Sequence, residues 1–216
     1  MHTTNFKNLK KRLRSPELLI GIFFITIFTI SSIFYIKQKL WYEFFWLSNH
    51  WALINGVAFL TRNRFVFSYI VALGIIPEIL WVIDFALMSN GIPFLGITNY
   101  WFDSAYPLTL KIIALQHLLN PFASIYGIMR FGFHKKAWIG SILHGFSIFI
   151  VSLVFFGTKD NVNCVWKNCL PSIPMKDTTW QILLVSAIML HIFLVTYAAK
   201  LFMRRAKKPK TISINI

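Results

Sequence analysis

Long apolar stretches separated by short polar segments run along the whole chain. The hydrocarbon core of a bilayer is about 30 Å thick and needs roughly 20 apolar residues in a helix. Six stretches reach that length, and they cover residues 17–36, 41–60, 65–88, 106–129, 137–157 and 179–203. Trp41, Trp101, Trp138 and Trp180 lie near the ends of these stretches, where aromatic rings favour the headgroup level. The pattern therefore predicts an all-α bundle of six transmembrane helices.

The chain has no linker or internal repeat that would divide it, so we expect one integral membrane domain over residues 1–216. Its first apolar stretch is either an uncleaved helix or a signal peptide. A signal peptide has a shorter apolar run, of about 7–15 residues, followed by a small-residue cleavage site. No such site precedes Lys37, which favours the uncleaved helix.

Composition supports a membrane protein and excludes several other classes. Of 216 residues, 56% are hydrophobic and only 13% are charged, whereas globular proteins carry about 25% charged residues. A soluble enzyme, a disordered protein and a small disulfide-framework protein are therefore excluded.

The basic residues indicate orientation rather than nucleic-acid binding. The net charge is +15, but its Lys and Arg residues cluster beside the apolar stretches. The termini and the even-numbered connections hold 16 of them, against 5 in the other connections. The positive-inside rule then places both termini in the cytoplasm. We expect basic cytoplasmic tails at 1–16 and 204–216, a multi-pass protein of the inner membrane, and lipid rather than nucleic acid as its surroundings.

Polar residues at membrane depth point to a functional site. A charged group there is costly, so such residues usually face a protein interior or cavity. Helix geometry places one group of them at similar depth on four helices, which predicts a single polar site. Its members are Ser48, Asn49, His50, Glu78, His117, Asn120 and His191. For His191, and for His144 nearer the inner side, a hydrogen bond across a helix interface is the competing interpretation.

Two further pairs have structural interpretations. Asp84 and Lys111 should lie at matching depth on consecutive helices, where an ion pair would lower the cost of burying either one. A coupling-ion or proton role is the alternative. Cys164 and Cys169 fall in an outward-facing loop. They can form a disulfide if the turn brings their Cα atoms within about 7 Å, and otherwise they are free thiols.

Four motifs carry a resemblance to known proteins, namely Trp46–His50 (WLSNH), Ile76–Asp84 (IPEILWVID), Tyr100–Asp103 (YWFD) and Asn161–Trp166 (NVNCVW). Over residues 40–170 the chain resembles a family of bacterial integral membrane proteins with no assigned activity. A polar residue on the second helix and a His on the fourth are similar to the androgen-induced-protein family. That family comprises six-span hydrolases or acyltransferases of lipid esters with a Thr or Cys nucleophile and a His base. The resemblance implies Ser48 as nucleophile and His117 as base.

The residues offer a coherent chemistry for that reaction. A Ser hydroxyl becomes nucleophilic beside a base, and a third group usually orients the base. His117 would take the proton of Ser48, Glu78 would orient its imidazole, and Asn49 or Asn120 would donate to the oxyanion. This hypothesis predicts a hydrogen bond between Ser48 Oγ and a His117 ring nitrogen.

Two other functions fit the same residues. In a small transporter, a proton path could be formed by Glu78, Asp84, His117 and His191. In a structural or accessory membrane subunit, the same polar residues would contact a partner protein. We expect no cofactor and no metal. The two Cys lack matched His or carboxylate spacing, and the chain has neither a haem-attachment motif nor a Gly-rich phosphate loop.

Overall fold

The computed structural model describes residues 15–206, and these residues form helices without any strand. The predicted basic tails lie almost entirely outside them. The helices are α1 (Pro16–Lys37), α2 (Leu47–Thr61), α3 (Arg64–Ser89), α4 (Asn99–Phe102), α5 (Leu108–Ala114), α6 (Gln116–Phe131), α7 (Ala137–Phe155) and α8 (Asp177–Ala206), with 3-10 turns at Trp41–Phe45 and Val162–Cys164. The all-α prediction is confirmed for this part of the chain.

Five helical segments are long and apolar enough to cross a membrane, namely α1, α3, α5 with α6, α7 and α8. They agree with five of the six predicted spans to within a few residues. The second predicted span, 41–60, differs. It divides into the turn at Trp41–Phe45 and the 15-residue helix α2, because the backbone of Trp46 between them is extended (φ −66°, ψ 131°).

Helix α3 is the centre of the bundle and packs against α2, α6, α7 and α8. Small residues allow these close approaches. A Cβ atom on Gly74 of α3 would collide with the indole of Trp51, and one on Gly127 of α6 would collide with Phe67. Gly74 and Gly127 thus let neighbouring helices approach closely, as small residues do at helix interfaces in membranes.

The segment formed by α5 and α6 is interrupted at Leu115. Pro121, inside α6, has no N–H to donate to the carbonyl four residues earlier, which belongs to His117. The irregularity of this segment therefore lies one to two turns before the proline. It places Gln116 and His117 in the first turn of α6.

Candidate functional site

The clearest chemical feature of the bundle is a contact between Glu78 of α3 and His117 of α6. His117 Nδ1 lies 2.9 Å from Glu78 Oε2, and the two side chains are 17% and 5% exposed. A carboxylate that accepts the Nδ1 proton fixes the tautomer and leaves the Nε2 lone pair as a proton acceptor. This contact is the one expected from the sequence, and we call the two residues the Glu78–His117 dyad.

An aromatic side chain completes the surroundings of the dyad. The rings of Trp81 and His117 are stacked, with centroids 4.7 Å apart and planes 15° from parallel. Trp81 follows Glu78 by three residues, so both lie on neighbouring positions of one face of α3. The imidazole is therefore held along one edge by a carboxylate and across its face by an indole.

The predicted hydrogen bond between Ser48 Oγ and His117 is wrong for this structure. Glu78 occupies His117 Nδ1, and the hydrogen bond that involves Ser48 is a long one, 3.5 Å, from Asn120 Nδ2 to its backbone carbonyl. Ser48 nevertheless lies in the interface between α2 and α6, the helix that carries His117. It shares a helix face with Trp51 and Asn55, three and seven residues later, and both of these hydrogen-bond to α6.

A buried polar network joins α2 to α6 beside the dyad. Gln116, Asn120 and Ser124 follow one another at four-residue spacing and so share one face of α6. Gln116 Nε2 donates to Asn49 Oδ1 at 2.5 Å, Asn55 Nδ2 donates to Asn120 Oδ1 at 3.4 Å, and Ser124 Oγ donates to Asn55 Oδ1 at 2.9 Å. All five side chains are at most 4% exposed, so each needs its partners inside the protein.

This network changes the role expected for Asn49. Its Oδ1 accepts from both Gln116 and Tyr35, and its Nδ2 donates to the carbonyl of Glu43. The amide thus joins α1, α2 and α6 and is 4% exposed, so its Nδ2 is held on the Glu43 carbonyl and is directed to a structural contact rather than to His117. Asn120 Nδ2, with its 3.5 Å contact to Ser48, is the more available of the two predicted donors.

A second pair of imidazoles lies between α2 and α7. His50 Nδ1 is 3.2 Å from His144 Nε2, and the rings are close to parallel. The Tyr69 ring meets His144 edge to face. His191 of α8 is 7% exposed, and its Nε2 has no hydrogen-bond partner among the described residues. The expected single site is therefore wrong in this respect, because His50 pairs with His144 and no described hydrogen bond joins His191 to the dyad.

The predicted ion pair between Asp84 and Lys111 is also wrong. Asp84 is fully buried, and its carboxylate accepts four hydrogen bonds of 2.7–3.0 Å from Leu95, Gly96 and Thr98. Lys111 Nζ instead donates to the carbonyl of Asp103. Donors in the loop that follows α3 satisfy the carboxylate, so it needs no cation from the next helix.

The loop that follows α7 contains a contact that sequence reasoning missed. Cys164 and Cys169 form a disulfide with Cα atoms 5.6 Å apart, so of the two alternatives, a disulfide and free thiols, the disulfide is present. The preceding residue, Asn163, accepts a hydrogen bond from Leu47 N at 2.8 Å and donates to the Phe45 carbonyl at 2.7 Å. Its backbone is left-handed (φ 53°), a conformation that Asn tolerates well. The sequence offers Asn163 only as part of the motif Asn161–Trp166, which does not indicate a contact with α2.

A second missed contact joins three helix ends. Glu17 of α1 is 4% exposed, and its carboxylate lies 2.8 Å from Arg130 Nε and 3.9 Å from an Arg62 nitrogen. Arg62 and Arg130 lie at the carboxyl ends of α2 and α6. These ion pairs hold the amino end of α1 and the carboxyl ends of α2 and α6 on the same side of the bundle.

The polar groups outside the spanning helices include two half-buried tyrosines, Tyr100 and Tyr106. Burial raises the pKa of Tyr100, although a hydrogen bond from Trp81 partly opposes the shift, and burial raises the pKa of Tyr106 to about 12. Both phenols therefore keep their protons at physiological pH. The Tyr100 hydroxyl accepts a hydrogen bond from Trp81 Nε1 at 3.0 Å, so a residue of α4, in the connection between α3 and α5, holds the indole that stacks on His117.

Within residues 15–206, no three His, Cys, Asp or Glu side chains lie together as metal ligands would. The dyad itself places an imidazole beside a carboxylate, an arrangement that can accept and release a proton. Comparison with known proteins found no matching family model, no matching curated protein and no matching solved structure.

Proposed function

We propose that this chain is a six-span protein of the inner membrane, with both termini in the cytoplasm, that hydrolyses or transfers a lipid or acyl ester. The observation that carries the proposal is the 2.9 Å contact between Glu78 and His117, which equips an imidazole as a general base. The resemblance to the androgen-induced-protein family supports the same reaction class.

The packing of α2 along α1 supports a sixth crossing. Near one end of α1, Glu17 contacts Arg62, which follows α2. Near the other end, the Tyr35 hydroxyl donates to Asn49 in the first turn of α2. The two helices therefore run antiparallel and side by side. If α1 crosses the membrane, α2 crosses it as well. Its 15 residues give α2 a length of about 22 Å, and the turn at Trp41–Phe45 joins it to α1 on the outer side.

The reaction begins when the Ser48 hydroxyl attacks the ester carbonyl and His117 Nε2 takes its proton. The protonated imidazole then gives that proton to the leaving alkoxide. Water or an acceptor hydroxyl finally takes the acyl group from Ser48, with His117 as base again. Glu78 stabilises the imidazolium throughout. Ser48 must move towards Nε2 when substrate binds, and catalytic hydrogen bonds commonly shorten at that stage.

Access from the bilayer supports a lipid substrate. His117 is 17% exposed although it lies nine residues inside the spanning segment Leu108–Phe131. Exposure at that depth faces acyl chains or a crevice open to them, so a substrate dissolved in the membrane can reach the base. Glu78 is buried within the chain, which speaks against an accessory subunit that would contact a partner through this carboxylate.

The test is turnover and covalent labelling of the full-length protein in lipid nanodiscs, with chromogenic acyl esters and an acyl-phosphonate probe. We expect Ser48→Ala to abolish labelling and His117→Gln to lower turnover about 100-fold or more. Ser147→Ala is the matched control, because Ser147 is an exposed serine of α7 that hydrogen-bonds only its own helix. Labelling that survives Ser48→Ala would exclude Ser48 as the nucleophile.

The pair of His50 and His144 favours a second candidate, a proton-coupled transporter, because two imidazoles 3.2 Å apart can pass a proton between helices. Transport needs a route to both faces. In proteoliposomes with an internal pH dye, a transporter would show proton flux that His144→Gln stops. Ester turnover without flux would support the enzyme.

A further inference from the structure

The stacking of Trp81 on His117 has a consequence for how the proposed base works. A carboxylate holds the imidazole only at Nδ1, and a ring held at one edge can still rotate about the bond to its Cβ atom. The indole lies across the imidazole face with centroids 4.7 Å apart, and this stacking opposes that rotation. Trp81 is 5% exposed, so the protein interior keeps the indole in place.

The indole is itself fixed from the outer loop. Its Nε1–H donates to the Tyr100 hydroxyl at 3.0 Å, and its ring is parallel to that of Phe85, one turn later on α3. The loop that carries Tyr100 is anchored by the four hydrogen bonds to Asp84. A continuous set of contacts thus runs from a buried carboxylate at the outer end of α3 to the ring of His117.

We propose that Trp81 is a positioning residue for His117, which holds the plane of the imidazole so that Nδ1 stays on Glu78 and Nε2 stays directed towards the reacting hydroxyl. The inference rests on the proposed function and adds to it the means by which the base is oriented. When His117 gains a proton during the reaction, the indole face also attracts the cationic ring. Trp81 is 5% exposed and so offers a substrate almost no surface, and its effect should therefore appear in kcat and not in KM.

Three substitutions distinguish the stacking of the Trp81 indole on His117 from the hydrogen bond that joins this indole to Tyr100. Trp81→Leu removes the aromatic face, Trp81→Phe keeps a face but loses the N–H donor, and Tyr100→Phe removes the acceptor. We expect kcat to fall about 10-fold in Trp81→Leu and less in the other two, with KM within about 2-fold of wild type. Trp138→Leu is the control, since Trp138 is a 41% exposed tryptophan of α7.

A second measurement is independent of turnover. In full-length protein labelled with 15N-histidine, the Nδ1–H resonance of His117 is identified by its loss in His117→Gln. We expect that proton to exchange slowly in the wild type and Trp138→Leu, and to be broadened or lost in Trp81→Leu. Tyr100→Phe, a milder change, should show an intermediate exchange rate and guards against a Trp81 variant that fails to fold.

The two readouts keep the two hypotheses apart. A wild-type protein that turns over no ester would overturn the proposed function, while the resonance would still decide the role of Trp81. A Trp81→Leu resonance identical to wild type would overturn the positioning role, whatever happens to the rate. A lower kcat with a broadened resonance and an unchanged KM would support it.

Discussion

Glu43 lies in the turn between α1 and α2, outside the spanning helices, and is half-buried. Burial raises the pKa of its carboxyl from 4.5 to about 7. Between these values the folded protein holds a proton that the unfolded chain has released, so the free energy of unfolding falls as pH rises from about 4.5 to about 7. It should not change further above that window on account of this group.

Thermal unfolding in nanodiscs at a series of pH values tests this behaviour. We expect the midpoint of the wild type to drop across the window, and the difference between wild type and Glu43→Gln to be largest above pH 7, where only the wild type carries a buried charge. Parallel pH curves for the two proteins would show that Glu43 is solvated.

At the residue scale, the partner of the buried carboxylate Glu78 can be predicted from the sequence, whereas the partners of the buried carboxylate Asp84 cannot. Glu78 and His117 lie at similar depth on helices that pack together, and neither has a competing partner close in sequence. Asp84 has such partners, because backbone N–H groups of Leu95 and Gly96 return to it from the following loop. An argument from helix depth does not include the backbone N–H groups of a loop, and it therefore predicts Lys111 as the partner of Asp84.

At the scale of elements, the start of α2 depends on a residue far away in the chain. Asn163 accepts from the first N–H of α2, that of Leu47, and also donates to Ser152 of α7. It therefore supplies a helix cap that no residue next to α2 provides. The apolar pattern of 41–60 is continuous and predicts one helix, and only this long-range contact explains why the helix begins at Leu47.

Asn163→Ala should lower the free energy of unfolding by about 1 kcal/mol, the usual effect of losing a helix cap, and should increase hydrogen exchange at Leu47 and Ser48. Asn168→Ala is the matched control in the same loop, since Asn168 bonds only Leu170 and Ile173 nearby. Equal exchange in the two variants would mean that Asn163 does not cap α2.

At the scale of the whole molecule, the apolar pattern predicts the helical class and five segments of the described chain that can span a membrane, because each of them is long enough and apolar enough on average to cross a bilayer. The sixth crossing could not be settled in that way, because α2 has only 15 residues. Its support comes from contacts with α1, through Glu17 at one end and Tyr35 at the other. Pairwise contacts of this kind depend on how neighbouring helices pack and not on hydropathy.

The crossing of α2 can be tested directly, because the chain has only two cysteines and they are joined in a disulfide. Gln38 and Thr61 are exposed positions on either side of α2, and each can be replaced singly by Cys. If α2 crosses and the termini are cytoplasmic, a membrane-impermeant maleimide labels Gln38→Cys in intact cells but labels Thr61→Cys only after permeabilisation. The same topology places Lys159→Cys, in the loop after α7, on the side of Gln38→Cys, and Lys135→Cys, before α7, on the side of Thr61→Cys. Labelling of Gln38→Cys and Thr61→Cys from the same side would place α2 along one face of the membrane, and the termini would then lie on opposite sides.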